Sequence, residues 1–317
     1  MNWFHRNLTR FAFYRNLVDY TKTISLPFLG TFSLFHLLSE FFIEIRKGNI
    51  YIKSSALAFQ FLLAIFPGLI FLFTLIAFIP IPYFQQNVLG IFQGILPVNV
   101  FDVIRETLQE VIIKKNRGLL SFGFFAAIYF STSGMSTLIQ SFYKDSNKPD
   151  SRTYFAKRLL ALFLTISLAT LLLIASTFAF ASQFILHFFW SRHYIKTNLE
   201  RFTLGFFQVF IITFLFYVAI ALLYYFAPRR KIKKSFFSFG AGLAALASLG
   251  TTEGFAFYVS HFGTYNKIYG SLGTLLVLMV LLYLNSSILL LGYDLELSVK
   301  TCQLNFENRK NKKLSKI

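Results

Sequence analysis

Long apolar stretches alternate with short basic ones along most of the chain. About 20 apolar residues cross the roughly 30 Å hydrocarbon layer of a membrane as an α-helix. An open sheet would leave backbone groups unpaired in lipid, so only helices fit stretches of this length. The pattern therefore predicts an all-α integral membrane protein with a six-span transmembrane helix bundle. The predicted spans are residues 54–80, 118–143, 159–189, 202–227, 236–260 and 269–299.

A seventh stretch, residues 26–45, is apolar but carries His36, Glu40 and Glu44. Its large apolar residues, among them Leu38, recur at helical spacing on one face, and the polar residues fall elsewhere. This pattern is typical of an amphipathic helix that lies in the membrane interface. We expect this helix on the cytoplasmic surface.

Three regions follow from this pattern. Residues 1–53 form a cytoplasmic N-terminal region with the amphipathic helix, and residues 54–299 form the six-helix transmembrane domain. Residues 300–317 form a Lys-rich cytoplasmic tail, which we expect to be solvated and disordered beyond Leu304.

Composition and charge support a membrane location. Hydrophobic residues make up 56% of the 317-residue chain and charged residues only 14%, against about 25% charged in soluble domains. Of the 31 Lys and Arg residues, 23 lie in the N-terminal region, the second and fourth loops and the tail. Because cytoplasmic loops carry the basic excess, both termini are predicted to be cytoplasmic.

The sequence offers little for catalysis. There is one Cys, and the five His residues do not form a spacing that binds a metal. A Gly-rich phosphate loop is also missing from the sequence. We therefore expect no metal, no cofactor and no enzymatic activity.

A basic run follows the fourth span. We interpret it as a site for anionic lipid headgroups, since it lies against the membrane. Nucleic acid is the disfavoured alternative because the run has no interleaved aromatic platform. The predicted partners are therefore membrane lipids, mainly anionic, and not nucleic acid. The run consists of Arg229, Arg230, Lys231, Lys233 and Lys234.

Two acidic residues inside the spans are candidates for a substrate path or a buried polar site. Glu253 lies in the fifth span, and the spans contain no Lys or Arg to pair with it. A carboxyl group there is expected to face the bundle interior or a cavity, or the outer headgroups if the helix is shifted along the membrane normal. Asp294 lies near the cytoplasmic end of the sixth span, where an ion-paired cap and a role in substrate or proton movement are both open. Glu296 points about 200° away from it on a helix.

Uncharged polar residues inside the spans allow two interpretations. They either line a polar cavity, or they pack closely with their hydroxyl groups bonded back to the chain. Small residues in the fifth span, namely Gly240, Ala244 and Ala247, would also let a neighbouring helix approach. The polar candidates are Ser131, Ser133, Gln60 and Asn285.

Three motifs in this order resemble one known family. The first is Ser54-Ser55-Ala56-Leu57-Ala58-Phe59 leading to Pro67, and the second is Ser131-Thr132-Ser133-Gly134-Met135. The third pairs Tyr269-Gly270-Ser271-Leu272-Gly273 with Gly292-Tyr293-Asp294-Leu295-Glu296. Together they resemble the YihY/virulence factor BrkB family of bacterial inner-membrane proteins, whose former ribonuclease BN label is regarded as mistaken. The structural motif residues are Pro67, Gly134, Tyr269, Gly270, Gly273 and Gly292.

The resemblance implies a multi-pass protein of the bacterial inner membrane and cell envelope. Asp294 keeps the carboxylate of the family's closing motif, whereas Glu296 stands where the family tends to have an amide. The first hypothesis is a transporter or lipid-handling protein of the cell envelope. The alternative is a non-transporting scaffold, with an envelope protein partner or as a homo-oligomer. A polar cavity that reaches Glu253 or Asp294 would favour the first.

Overall fold

The described part of the chain is entirely helical. The computed structural model describes residues 33–79, 85–86, 89, 115–143, 152–191, 198–228, 237–261 and 271–314. These residues form seven α-helices and no β-strand, which confirms the predicted all-α class. The helices are α1 (Leu34–Gly48), α2 (Ile50–Ile76), α3 (Arg117–Ser141), α4 (Tyr154–Ser191), α5 (Asn198–Phe226), α6 (Phe239–His261) and α7 (Ser271–Leu314).

Five of these helices contain a segment long and apolar enough to cross a membrane. The segments lie in α2, α3, α4, α5 and α7. A multi-pass membrane protein is therefore confirmed. Helix α6 coincides with the predicted fifth span but is not one of the five, so the count of six spans stays a prediction.

The helices pack in a ring that follows the chain. Each helix from α2 to α6 packs against the next one, and α7 packs against both α6 and α2, which closes the ring. Helix α1 lies outside this ring against α7. The first and last helices of the bundle are therefore neighbours.

Small residues of α3 let α2 approach closely. A methyl group on Gly123 would lie 3.0 Å from the backbone nitrogen of Phe71, and one on Gly134 would lie 3.3 Å from the ring of Phe61. The hydroxyl of Thr132 donates to the carbonyl of Ile128 at 2.7 Å. These contacts support one of the two interpretations of the polar residues in α3. The helix packs closely against α2, and hydroxyls such as that of Thr132 bond to their own helix.

Helices α6 and α7 make the tightest approach in the described bundle. A methyl group on Gly240 would overlap the carbonyl oxygen of Gly292 and would lie 2.7 Å from Cβ of Glu296. One on Gly292 would lie 2.6 Å from Cβ of Ala244. The two helices therefore run antiparallel, with Gly240 level with Glu296 and Ala244 level with Gly292. Of the small residues expected in this contact, Ala247 is instead exposed.

Three buried aromatic rings join α3, α5 and α7. The ring centroids of Phe142 and Tyr293 are 4.3 Å apart, and the ring of Tyr224 lies 5.8 Å from Phe142 and 5.6 Å from Tyr293. The Tyr224 hydroxyl donates to the carbonyl of Leu289 at 2.6 Å. Since buried hydroxyls need a partner, this bond satisfies the tyrosine while its ring fills the core.

Helix α1 is attached to the bundle at two places. Asn49 alone separates it from α2, and its left-handed backbone (φ 46°, ψ 47°) ends one helix and begins the next. Leu37 packs against Val299 and Cys302 of α7, whereas Leu38 and Phe42 are exposed. Placement of α1 in the membrane interface stays a prediction.

The expectation of a disordered tail is wrong for most of its length. Helix α7 does not end with the sixth predicted span, but continues through the polar residues to Leu314. Packing supports the helix as far as Cys302, because Val299 and Cys302 are buried against α1, whereas residues 303–306 of the continued helix are exposed. Helix formation in proteins depends on such contacts more than on local composition.

The α6–α7 contact can be tested at two glycines of the same helix. We expect Gly240→Ala to destabilise the protein by about 1–3 kcal/mol, the usual cost of overpacking. Gly250→Ala is the matched control, because no atom lies within 4 Å of its added methyl group. Thermal unfolding in detergent measures both. Equal melting temperatures for the two variants would contradict the close contact.

Candidate functional site

A buried ion pair lies where α6 begins. Glu296 is 5% exposed, and its Oε1 atom lies 2.9 Å from Nζ of Lys300. Its Oε2 atom accepts a hydrogen bond from the backbone N–H of Gly240 at 3.1 Å. Glutamate four residues before lysine is the favourable order of such a pair on a helix, so α7 positions both side chains by itself.

The N-terminus of α6 is capped from two sides. The hydroxyl of Ser238 accepts from the N–H of Ala241 at 3.1 Å, and the N–H of Ser238 donates to the Tyr217 hydroxyl at 3.1 Å. The Glu296 carboxylate supplies a negative charge at the positive end of the helix dipole, which stabilises it.

A cavity of about 520 Å³ opens beside this ion pair, between α5, α6 and α7. Aromatic and aliphatic side chains form most of its wall, and Glu296 and Lys300 are the charged residues among those that line it. The lining residues are Tyr217, Phe237, Ser238, Phe239, Gly242, Leu243, Leu246, Glu296, Val299, Lys300 and Gln303.

Polarity changes along the length of this cavity. The antiparallel register places Leu243 and Leu246 on the side of Glu296 that faces the middle of α7, while Lys300 lies on the opposite side. At a rise of 1.5 Å per residue, the levels of Leu246 and Lys300 differ by about 15 Å. The wall is therefore apolar toward the middle of the bundle and charged at its end.

Asp294 is buried but does not line the cavity. It is 2% exposed, and its backbone carbonyl accepts a hydrogen bond from the Ser298 hydroxyl at 2.7 Å. Tyr293, its neighbour in the chain, belongs to the aromatic core. The described cavity reaches Glu296 instead, the acid on the other face of the helix.

Glu253 occupies a different position from the one expected. Its side chain is exposed on α6 and does not face the bundle interior. Gly240, Ala244 and Ser248 are buried and form the face toward α7. Glu253 follows Ser248 by five residues, which turns it about 140° away on a helix.

The other polar candidates lie in helix contacts. Ser131, Ser133, Gln60 and Asn285 are half-buried and do not line the cavity. The Asn285 amide donates to the carbonyl of Leu281 at 3.2 Å, within its own helix.

Some of the motif residues lie in the described part of the chain, and the others lie outside it. Pro67 lies inside α2, which continues from Ile50 to Ile76. Gly134, Gly273 and Gly292 are buried in their helices. Tyr269 and Gly270 lie outside the described residues.

The basic run at residues 229–234 also lies outside the described residues. Two other basic residues cap helix ends. Lys53 donates to the carbonyls of Ser141 and Tyr143 at 2.9 and 3.0 Å, and Arg152 donates to that of Ala227 at 3.1 Å. Cations at the ends of α3 and α5 offset the negative ends of their dipoles.

Sequence reasoning missed Lys300, Tyr217 and Ser238 as residues of a site. The Glu-x-x-x-Lys spacing of residues 296–300 was a readable signal for an ion pair, and Ser238 before an apolar helix was one for a cap. Tyr217 had no signal, because the sequence does not show which helix lies beside α6.

The geometry describes a multi-pass helical membrane protein with an amphipathic cavity at one end. The chain belongs to the family described as "Virulence factor BrkB", which matches residues 42–316. The predicted resemblance is thereby confirmed. No solved structure is significantly similar to the chain.

Similar proteins occur in diverse bacteria. The chain is 30% identical to YfkH of Bacillus subtilis (strain 168), over 77% of this chain and 87% of that protein. It is 28% identical to the UPF0761 membrane protein IL2447 of Idiomarina loihiensis, over 68% of this chain and 72% of that one. The name of YfkH describes it as ribonuclease-like, but that wording does not identify catalytic residues in this chain. The described residues contain no group of three or more His, Cys, Asp or Glu that could hold a metal ion.

A double-mutant cycle tests the ion pair. We expect Lys300→Met alone to destabilise the protein by up to about 3–5 kcal/mol, because it leaves Glu296 buried without its cation. Adding Glu296→Gln should recover part of this loss, since the uncompensated charge is removed. Thermal unfolding of the four proteins gives the coupling energy.

The control cycle uses Glu44 and Lys47, whose charged atoms lie 3.4 Å apart, with the glutamate side chain 11% and the lysine side chain 60% exposed. Because water solvates the lysine, we expect this pair to couple by less than about 1 kcal/mol. Additive losses at Glu296 and Lys300 would show that the buried pair is not coupled.

Proposed function

We propose that the protein binds a lipid-like amphiphile in the cavity between α5, α6 and α7, as a transport or lipid-handling protein of the bacterial inner membrane. The observation that carries this proposal is the change from an apolar wall at Leu243 and Leu246 to the buried charges of Glu296 and Lys300. An amphiphile with its apolar part toward the bundle middle and its polar part at Lys300 matches this order.

The size and chemistry of the cavity suit such a ligand. Its volume of about 520 Å³ falls within the roughly 300–1,000 Å³ of small-molecule sites, and it is an open groove, since Phe237 is 80% and Leu246 60% exposed. Leucine and phenylalanine side chains offer an apolar wall to hydrocarbon, and the ion pair offers both signs of charge to a polar group. No residue of the chain is assigned a catalytic role.

The proposed topology places both termini in the cytoplasm. The cavity would then open near the cytoplasmic leaflet, because Lys300 lies on the tail side of the last span. The basic run at residues 229–234 ends three positions before Phe237, a lining residue. This run is the one that the sequence predicts to bind anionic headgroups.

A scaffold is the second candidate function. The exposed carboxyl of Glu253 favours it, because a charged group facing hydrocarbon is costly and a partner helix would cover it. Gly250 and Gly254 on either side have open space for such a helix. The described cavity does not extend to Glu253 or Asp294, which also favours the scaffold by the criterion stated for the sequence. The cavity supports binding at one leaflet.

Native mass spectrometry of the protein in nanodiscs tests amphiphile binding. We expect a stoichiometric lipid on the wild type, and its loss in Gly242→Leu, because a leucine side chain at this lining position fills the cavity. Gly250→Leu is the matched control, since it adds the same side chain to open space on α6. A diffuse lipid annulus in all three proteins, or a specific protein companion, would favour the scaffold.

Reporter fusions test the proposed topology. A green fluorescent protein after Ile317 should fluoresce and an alkaline phosphatase there should be inactive, because the tail is proposed to be cytoplasmic. The same reporters after Lys196, in the third loop, should give the reverse result. An active phosphatase at Ile317 would overturn the orientation.

A further inference from the structure

We infer that Lys300 recognises a phosphate group on the bound amphiphile, and that Glu296 weakens this binding by competing for the same ammonium. This inference rests on the proposed function, because it names the headgroup class of that cavity. The ligand class is therefore a phosphate-bearing lipid, either a phosphomonoester or a phosphodiester.

The position of Lys300 fits a phosphate contact. It is the cation among the lining residues, it lies at the charged end of the cavity, and its side chain is 19% exposed. An ammonium has three N–H donors, and the contact with Glu296 Oε1 occupies one of them. The remaining donors can form charge-assisted bonds to phosphate oxygens, which are stronger than neutral ones.

The surroundings add positive potential at the same level. Helix α6 begins at Phe239, and its dipole places partial positive charge at this end. A phosphate at Lys300 would therefore face the positive end of α6 as well as the ammonium.

The axial order of the wall selects the phosphate over a distal headgroup. The Lys300 ammonium contacts Glu296, which is level with Gly240, and Leu246 lies six residues or about 9 Å from that level. A chain lying along the leucines therefore reaches the ammonium with the first polar group attached to it. In a phospholipid that group is the glycerol phosphate. Groups esterified beyond the phosphate would extend past Lys300.

Glu296 acts against this contact through its charge. Its carboxylate is buried and lies against the ammonium at 2.9 Å, so a phosphate on Lys300 would meet a second anion nearby. Glu296→Gln removes that repulsion, and its amide oxygen can still accept from the N–H of Gly240. The variant should therefore bind phosphate amphiphiles more tightly, a change that a purely structural glutamate would not produce.

The experiment compares three probes on the full chain in dodecyl maltoside, a detergent that carries no phosphate. The probes are 1-oleoyl lysophosphatidic acid, 1-oleoylglycerol with the same chain but no phosphate, and glycerol 3-phosphate with no chain. Wild-type protein should bind the first at least about tenfold more tightly than either of the others, the effect of one charge-assisted contact.

Variants then assign the preference to residues. Lys300→Gln should abolish the preference for lysophosphatidic acid over oleoylglycerol, and Lys300→Arg should retain it, which separates loss of charge from loss of folding. Glu296→Gln should tighten lysophosphatidic acid binding by about tenfold without changing oleoylglycerol binding. Lys47→Gln, an exposed lysine away from the cavity, should match the wild type.

Each of the other possible results overturns a defined part of the proposal. Equal binding of lysophosphatidic acid and oleoylglycerol to the wild type would refute phosphate recognition and leave amphiphile binding intact. Tight binding of glycerol 3-phosphate would identify a water-soluble phosphate ligand and refute the lipid. Binding of none of the probes would overturn the proposed function itself, and weaker binding to Glu296→Gln would refute the competing role of Glu296.

Discussion

The backbone contact between Gly240 and Gly292 is the constraint on which the candidate site depends. It brings α6 and α7 so close that a single added methyl group overlaps neighbouring atoms. This contact fixes the register of the two helices, and the register places the Glu296 carboxylate over the first turn of α6. In the same register, the backbone of Lys300 lies on the side of that turn toward the C-terminus of α7. Leu243 and Leu246 lie on the side toward the middle of α7. The polarity of the cavity wall thus depends on Gly240 and Gly292, although neither residue lines the cavity.

Among the described residues, three charged side chains at one end of the bundle satisfy helix termini. Lys53 and Arg152 bind carbonyl groups at the ends of α3 and α5, and Glu296 binds an N–H group at the start of α6. Each charge lies at the helix end of opposite polarity. Lys53 and Arg152, which belong to the basic residues that predict the membrane orientation, therefore also stabilise helix ends.

The sequence predicts the helices well and their contacts poorly. Long apolar runs identify the spans because lipid leaves no other backbone structure possible, and all six predicted spans coincide with described helices. The length of α7 escaped prediction, since the packing of Val299 and Cys302 against α1 is not visible in the sequence. The orientation of Glu253 was wrong, because the choice between two small-residue faces of α6 depends on which one meets α7. The cavity could not be predicted, because its position depends on the register of three helices. The ion pair at its wall could be predicted from the spacing of Glu296 and Lys300.

The burial of Cys302 has a practical consequence for the N-terminal helix. This is the chain's single cysteine, and it is 6% exposed where α1 covers α7. A water-soluble thiol reagent gains access to it only when α1 separates from α7. The labelling rate of Cys302 in the native protein therefore measures how often α1 separates from α7.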